Sequence, residues 1–389
     1  MRLLFTSVPG ASHVLPVVPL AHAALAAGHD VLVVSSGSAV PTAAAAGLHT
    51  VDAGDGAAAP YLDMARRLTE TDIAHTWSPE ELTDWFASVF AEIGAITAGP
   101  LLEAARSWGA DAVVYPPPHV VGLIAARALG VPAVLHGLGT RRPTFRPAVR
   151  HSAKLVEELG LDDVGEADVE IDLSPASLTT VHLDVPEESR ARDTLAMRYA
   201  PYTGGGVLPD WLLRPRRRRR VAATLGSIPL LYGDGGLLQV VVDAAAALDV
   251  ELVLTTNGAA LPGLAGDLPG HVRPVDWISL RALLPTCEAL IHHGGMGSMY
   301  AAFDAAVPQL ALPAPGTDST ANASVPAVRG AGLRVDARDA DTAAVTAALG
   351  RLLDEPAFGV AAAEVAAEIR AMPTPAAVLD RLTGLLEPS

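Results

Sequence analysis

Short apolar runs alternate with longer amphipathic stretches along most of the chain. Arg2-Leu3-Leu4-Phe5-Thr6 reads as a buried strand, followed by a Pro/Gly/Ser loop and an Ala-rich helix over about 14–27 that Gly28 stops. Asp30-Val31-Leu32-Val33-Val34 is a second strand, and a helix over 39–46 ends at another glycine, Gly47. Residues 61–107 read mostly as helix, 112–115 as strand, 119–129 as helix and 132–135 as strand. Strand and helix in strict alternation predict parallel sheets covered by helices.

After a Gly- and Pro-rich stretch, Pro201 to Pro215, the rhythm restarts. Residues 221–225, 251–255, 289–292 and 309–313 read as strands. Helices are predicted over about 237–248 and 298–306, in part over 320–330, and across the last 25 or so residues. The chain of 389 residues exceeds one ordinary hydrophobic core. The expected architecture is α/β, two Rossmann-like domains facing each other across a cleft. The domains are 1–205 and 221–370, with a linker at 206–220 and a terminal helix at 371–389 packing back on the first domain. No short-period repeat is visible.

Composition narrows the function classes. Half of the residues are hydrophobic and 4% aromatic, which suits helices on a buried parallel sheet. A formal charge of −16 argues against nucleic acid as a partner. The one cysteine, Cys287, excludes an internal disulfide and fits a reducing cytoplasm. Ala21-His22-Ala23 mimics a leader-peptide cleavage site, but Pro9, Gly10, His13 and Pro16 interrupt the apolar run before it. No stretch of about 18 uncharged apolar residues occurs, so no transmembrane helix and no membrane partner are expected. The run Arg216 to Arg220 reads as a solvated linker. The sequence leaves a homodimer open.

The strongest chemical signal is His292-His293-Gly294-Gly295-Met296-Gly297-Ser298. A strand runs into glycines and a helix starts at about Gly297 or Ser298, so free amides and the helix dipole make an anion site. Glycines let a diphosphate approach the backbone, and Ser298 adds a hydroxyl. Adjacent strand side chains point to opposite faces, which argues against one metal ion on both histidines. His293 is then the phosphate contact and His292 faces away. The dinucleotide fingerprint is missing, because the first loop, Ser7 to His13, holds a single glycine.

These motifs together resemble the bacterial natural-product glycosyltransferases of the GT-B fold, which attach sugars, often deoxysugars, to polyketide and related antibiotics. The resemblance spans nearly the whole chain and is strongest from Val221 to Asp336. Pro9 to Pro16 resembles the family's N-terminal segment, whose histidine matches His13, and Met197 to Tyr202 resembles its interdomain stretch. Thr224-Leu225-Gly226-Ser227 is similar to its second phosphate loop. Val275-Asp276-Trp277 through Leu284 to Cys287 resembles its nucleobase segment, and Gly316 to Ala323 its donor-sugar motif.

The resemblance implies an inverting transferase that uses a nucleotide-diphosphate sugar, with thymidine diphosphate and a deoxysugar favoured, and an apolar aromatic acceptor. No metal and no cofactor are expected. His13 is the candidate general base, since an imidazole titrating near 6.5 can take a proton from an acceptor hydroxyl. Candidate donor contacts are Gly226, Ser227, Trp277, His293, Gly294, Gly297, Ser298, Asp318 and Ser319. Asp318 reads equally as a helix N-cap, and Trp277 as core. Candidate acceptor contacts are Met64, Trp77, Trp85, Phe86, Phe90 and His136, in the first domain.

Two departures stand out. Where the family often places an aspartate to orient its histidine, this chain reads Tyr115-Pro116-Pro117-Pro118-His119. A base without that acid suits a phenolic acceptor, or attack from an activated aromatic carbon. Ser319 stands where the family often has glutamine, which suits a sugar with fewer hydroxyls. The alternatives are a C-glycosyltransferase, a sugar-nucleotide epimerase of the same fold, and a non-catalytic partner of another transferase.

Overall fold

The structure is a computed structural model. It describes residues 1–70, 76–179, 191–224, 236–256, 268–313 and 318–386. Among these, two all-parallel sheets form. The first contains β1 (Arg2–Thr6), β2 (Asp30–Ser35), β3 (His49–Asp52), β4 (Ala112–Tyr115), β5 (Ala133–His136), β6 (Val169–Asp172) and β7 (Asp193–Ala196). Their spatial order is β3-β2-β1-β4-β5-β6-β7. The second contains β8 (Arg220–Thr224), β9 (Glu251–Thr255), β10 (Val272–Val275), β11 (Ala289–His292), β12 (Gln309–Ala311) and β13 (Gly332–Arg334), in the order β10-β9-β8-β11-β12-β13.

Parallel strands are covered on both faces, so their residues must be apolar throughout. Every residue of β4, β5 and β11 is buried. In each sheet the strand order reverses once, between β1 and β4 and between β8 and β11. The loops leaving the carboxyl ends at such a reversal diverge and open a crevice, where ligands of this architecture bind. His13 follows β1, and His119 follows β4. Residues 225–235 follow β8, and His293 to Gly295 follow β11.

The helical reading of 61–107 divides into Ala58–Glu70 and Pro79–Trp108. Ser78 starts the second helix with a reciprocal cap. Its hydroxyl accepts from the Glu81 amide at 3.2 Å, and its own amide donates to the Glu81 carboxylate at 2.7 Å. Its segment Glu80–Trp108 is long and apolar enough by composition to cross a membrane, but half of its most apolar window is buried in the protein. Strands β3, β6, β7, β10 and β13 went unread, each being three or four residues long and carrying polar or charged residues or glycine that break the apolar run.

The solvated reading of Arg216 to Arg220 holds for the exposed Arg216, Arg217 and Arg218 and is corrected at Arg220. Arg216 and Arg219 share Glu288, Arg218 meets Asp249, and Arg219 also meets Asp354. Arg220 opens β8 at 3% exposure, pairs with Glu251 at 2.9 Å and stacks over Trp211 at 5.0 Å. The run thus staples the second sheet's first strand to its neighbours.

One apolar cluster joins the two halves. It includes Leu3 and Phe5 of β1, Tyr300 and Phe303 of the helix Met296–Asp304, and Ile369 of the helix Pro356–Ala371. Leu379 and Leu382 of the last helix, Pro375–Leu386, belong to it too, and that helix packs on Val18–Ala26. The Arg198 amide donates to the Pro373 carbonyl at 2.8 Å, fixing the returning chain to the first domain.

Candidate donor and acceptor site

The register of β8 and β11 sets Thr224 beside His292. Beyond β11, Gly294 turns at φ +82, a conformation that a side chain would oppose. Gly295 is the N-cap of the helix Met296–Asp304. The helix therefore begins one or two residues earlier than its sequence suggests. The amides of Met296, Gly297 and Ser298 occupy its first turn, where no intrahelical acceptor exists.

The two histidines divide the work. His292 is fully buried, and its Nδ1 accepts the Gly294 amide at 3.1 Å, so its ring shapes the turn from beneath. Burial holds it neutral down to about 4, against a smaller opposing pull from Gln309. His293 is half-buried beside the turn. Burial lowers it to about 4 as well, partly offset by a hydrogen bond with the Thr224 backbone. Its ring lies against Gly295: a Cβ there would come within 2.4 Å of Nε2 and 2.5 Å of Cε1. A neutral imidazole carries a single N–H, and here the Thr224 backbone takes it, so the ring braces the turn while the helix amides face the anion.

Trp277 is 50% exposed, which excludes the core reading. Its indole N–H donates to the Thr203 carbonyl at 3.0 Å, leaving the ring face to solvent. Asp318 is the first residue of the helix Asp318–Arg329, followed by Ser319, with both side chains outside the described residues. Gly226 and Ser227 also lie outside the described residues.

On the first domain, His13 sits in the short helix Ala11–Val14. Tyr61 meets its ring edge-on at 6.0 Å between centroids. A Cβ at Gly10 would lie 2.7 Å from the Tyr61 hydroxyl, so the loop needs its glycine to approach that phenol. Because β1 and β4 are neighbours in register, the loops after Thr6 and Tyr115 emerge side by side. His119 is 1% exposed, and its Nδ1 lies 3.2 Å from the Thr6 hydroxyl. Burial first, and the charge of His13 second, push His119 down to about 3. The residue read only as a missing acid is thus a neutral imidazole electrostatically coupled to His13.

The structure gathers most of the acceptor candidates. Met64 and Trp85 line a depression of about 460 Å³ that also has Asp63, Arg67 and Glu92 in its wall. Trp77 meets Trp85 edge-on at 5.7 Å, and Phe86 and Phe90 pack on the same apolar cluster, which also holds Val8 and Tyr61. His136 does not join them. It is fully buried at the end of β5, with Nδ1 2.6 Å from the Gly137 carbonyl oxygen, so it offers no surface to an acceptor. Tyr61 and His119 were missed as site residues, because only tertiary neighbours reveal them.

Three buried imidazoles, His119, His136 and His292, and the half-buried His293 give a pH signature. His119 is lowered to about 3, and His136, His292 and His293 to about 4. In the unfolded chain each titrates near 6.5. Below that pH the unfolded state binds protons that the folded state refuses. Their stabilising contribution is complete above about pH 6.5 and drains away toward pH 4, at up to about 1.4 kcal/mol per pH unit for each group. Denaturant melts should show a midpoint falling steeply between about pH 6.5 and 4.5. A midpoint that stays level would contradict these buried neutral states.

Comparison with known proteins agrees across the whole chain. The C-terminal domain model of erythromycin biosynthesis protein CIII-like proteins matches residues 239–385, and the N-terminal model matches 22–226. The elloramycin glycosyltransferase of Streptomyces olivaceus is 38% identical, over 98% of this chain and 97% of its own. The 10-deoxymethynolide desosaminyltransferase of Streptomyces venezuelae is 34% identical, over 99% and 97%. Among solved structures, the glycosyltransferase SnogD from Streptomyces nogalater superposes with a TM-score of 0.79 at 35% identity, covering 100% of this chain and 99% of its own. The spinosyn rhamnosyltransferase SpnG, complexed with thymidine diphosphate, gives 0.82 at 27% identity, covering 98% and 100%. With two parallel-sheet domains, a glycine-capped helix start at the second sheet's reversal and this full-length likeness, the chain belongs to the erythromycin biosynthesis protein CIII-like family of GT-B glycosyltransferases.

Proposed function

We propose that the protein moves a deoxysugar from thymidine diphosphate to an apolar, aromatic polyketide-type acceptor in the cytoplasm, inverting the anomeric centre and using no metal. The observation that carries this reading is the start of the helix Met296–Asp304, with free amides and the neutral His293 beside it. The relatives support the choice of donor: one structural neighbour holds thymidine diphosphate, and several curated relatives are named for deoxysugar or aminosugar transfer.

His13 takes the acceptor hydroxyl proton, and the freed oxygen pair attacks the anomeric carbon. The bond from that carbon to the diphosphate oxygen breaks, and the diphosphate leaves with the electron pair. Trp277 offers its exposed face to the base, and Asp318 and Ser319 meet the sugar. The depression beside Met64 and Trp85 takes the acceptor.

His119, held neutral, adds no carboxylate to strengthen His13. An unassisted imidazole matches a phenol, pKa near 10, better than an aliphatic alcohol. The short side chain of Ser319 suits a sugar poor in hydroxyls. Turnover should be faster with a thymidine-diphosphate deoxysugar than with uridine-diphosphate glucose, and should persist in EDTA. A preference for the glucose donor, or abolition by EDTA, would overturn the corresponding part of this reading.

A further inference from the structure

Three to six residues beyond His136, the first domain reaches across to both helix starts of the donor half. The loop leaving β5 presses Gly139 onto the helix Met296–Asp304: a Cβ there would lie 2.4 Å from Met296 Cγ and 2.9 Å from Tyr300 Cε2. The Thr140 amide points at Met296 Sδ, 3.2 Å away. Met296 is the first residue after the N-cap Gly295, so this loop touches the turn assigned to the diphosphate.

The next two residues are arginines with opposite fates. Arg141 turns inward and grips Glu170 with two hydrogen bonds, 2.7 and 2.5 Å, with Asp172 at 3.9 Å. Its amide also donates to the Ser174 hydroxyl at 2.6 Å. Such a bidentate pair fixes the loop's base. Arg142 instead extends to the second domain, where its Nη2 lies 3.3 Å from Asn322 Oδ1, in the second turn of the helix Asp318–Arg329. Strands β11 and β12, which lead to these two helices, are adjacent and in register, so the two helix starts are neighbours.

Charge completes the argument. A diphosphate gains negative charge as it leaves the sugar. His293 is held neutral, and helix amides supply only partial charges. Arg142 brings a full positive charge to the same ends of the sheet, and a guanidinium matches phosphate oxygens in geometry.

We propose that Arg142 binds the donor's diphosphate from the acceptor domain and stabilises it as it departs. The assignment rests on the donor-site reading above. Calorimetry with thymidine diphosphate and with thymidine, on the full chain and on Arg142→Gln and Arg142→Lys, tests it. Gln keeps a partner for Asn322 and removes the charge; Lys keeps the charge.

The expected result is about a tenfold weaker Kd for thymidine diphosphate in Arg142→Gln, unchanged thymidine binding, and a smaller loss in Arg142→Lys. Unchanged diphosphate binding in Arg142→Gln, or a parallel loss of thymidine, would show a strut between domains and overturn the proposal. If Arg142→Gln does not fold, Arg142→Lys decides by the same comparison, since a lysine loses the bidentate geometry. A wild-type protein that binds thymidine diphosphate no better than thymidine overturns the donor-site reading itself. That outcome is distinct from failure of Arg142 alone.

Discussion

Replacing His13 with alanine is expected to lower kcat for sugar transfer by about 10²–10⁴-fold, the usual contribution of a general base. Binding of thymidine diphosphate should stay within about twofold, since the proposed role of His13 is to take the acceptor's proton and not to hold the donor. The expectation follows from position. His13 leaves the carboxyl end of β1, at the strand reversal of the first sheet, and Tyr61 backs its ring at 6.0 Å. The loss should be smallest with the most acidic acceptor, because a phenol ionises with the least help. Steady-state kinetics with two acceptors of different pKa, alongside calorimetry of thymidine diphosphate, check both parts. Turnover that survives the substitution would remove His13 from the chemistry.

The second large effect belongs to Gly295. Alanine there would place a Cβ 2.4 Å from His293 Nε2 and 2.5 Å from Cε1, on a ring tied to the Thr224 backbone. The imidazole must therefore move, breaking its bond to the Thr224 backbone and disturbing the turn that presents the helix amides. The expected outcome is a loss of thymidine diphosphate affinity of about tenfold or more, with about 1–3 kcal/mol lower stability from overpacking. Gly297 is the internal comparison. A Cβ there would meet only the Tyr199 hydroxyl, at 3.8 Å, so Gly297→Ala should leave the melting temperature of the free protein unchanged. Calorimetry and thermal melts of the two variants test the difference. Equal melting temperatures and an unchanged Kd for Gly295→Ala would contradict the placement of His293.

What could be read from the chain alone follows from how locally each signal is encoded. Buried strands such as β1 and β11 are continuous apolar runs. The stops at Gly28 and Gly47 are true left-handed positions, at φ +85 and +80. The glycine turn that opens the helix Met296–Asp304 was legible for the same reason, since its glycines and helix start are consecutive. Strand β6 was not, because Val169-Glu170-Ile171-Asp172 alternates charge with apolar residues, and its buried Glu170 is answered by Arg141 from a loop.

Arg220 looked like linker and is a strand residue neutralised by Glu251, 31 positions away. His119 was visible only as an absent acid, because its link to His13 depends on β1 lying beside β4. His136 was read as a candidate acceptor contact, yet its ring is fully buried. Arg142 could not be singled out at all, since its reach to Asn322 spans 180 positions and two domains.

The central claim is sugar transfer from a nucleotide diphosphate bound at the second domain to an acceptor held by the first. Its most direct test is mass spectrometry of a reaction containing purified protein, a thymidine-diphosphate deoxysugar and an aromatic polyketide aglycone. The account predicts a product with the mass of aglycone plus sugar minus water, formed in step with released thymidine diphosphate. Donor hydrolysed or epimerised across a panel of aglycones, with no glycoside formed, would contradict it.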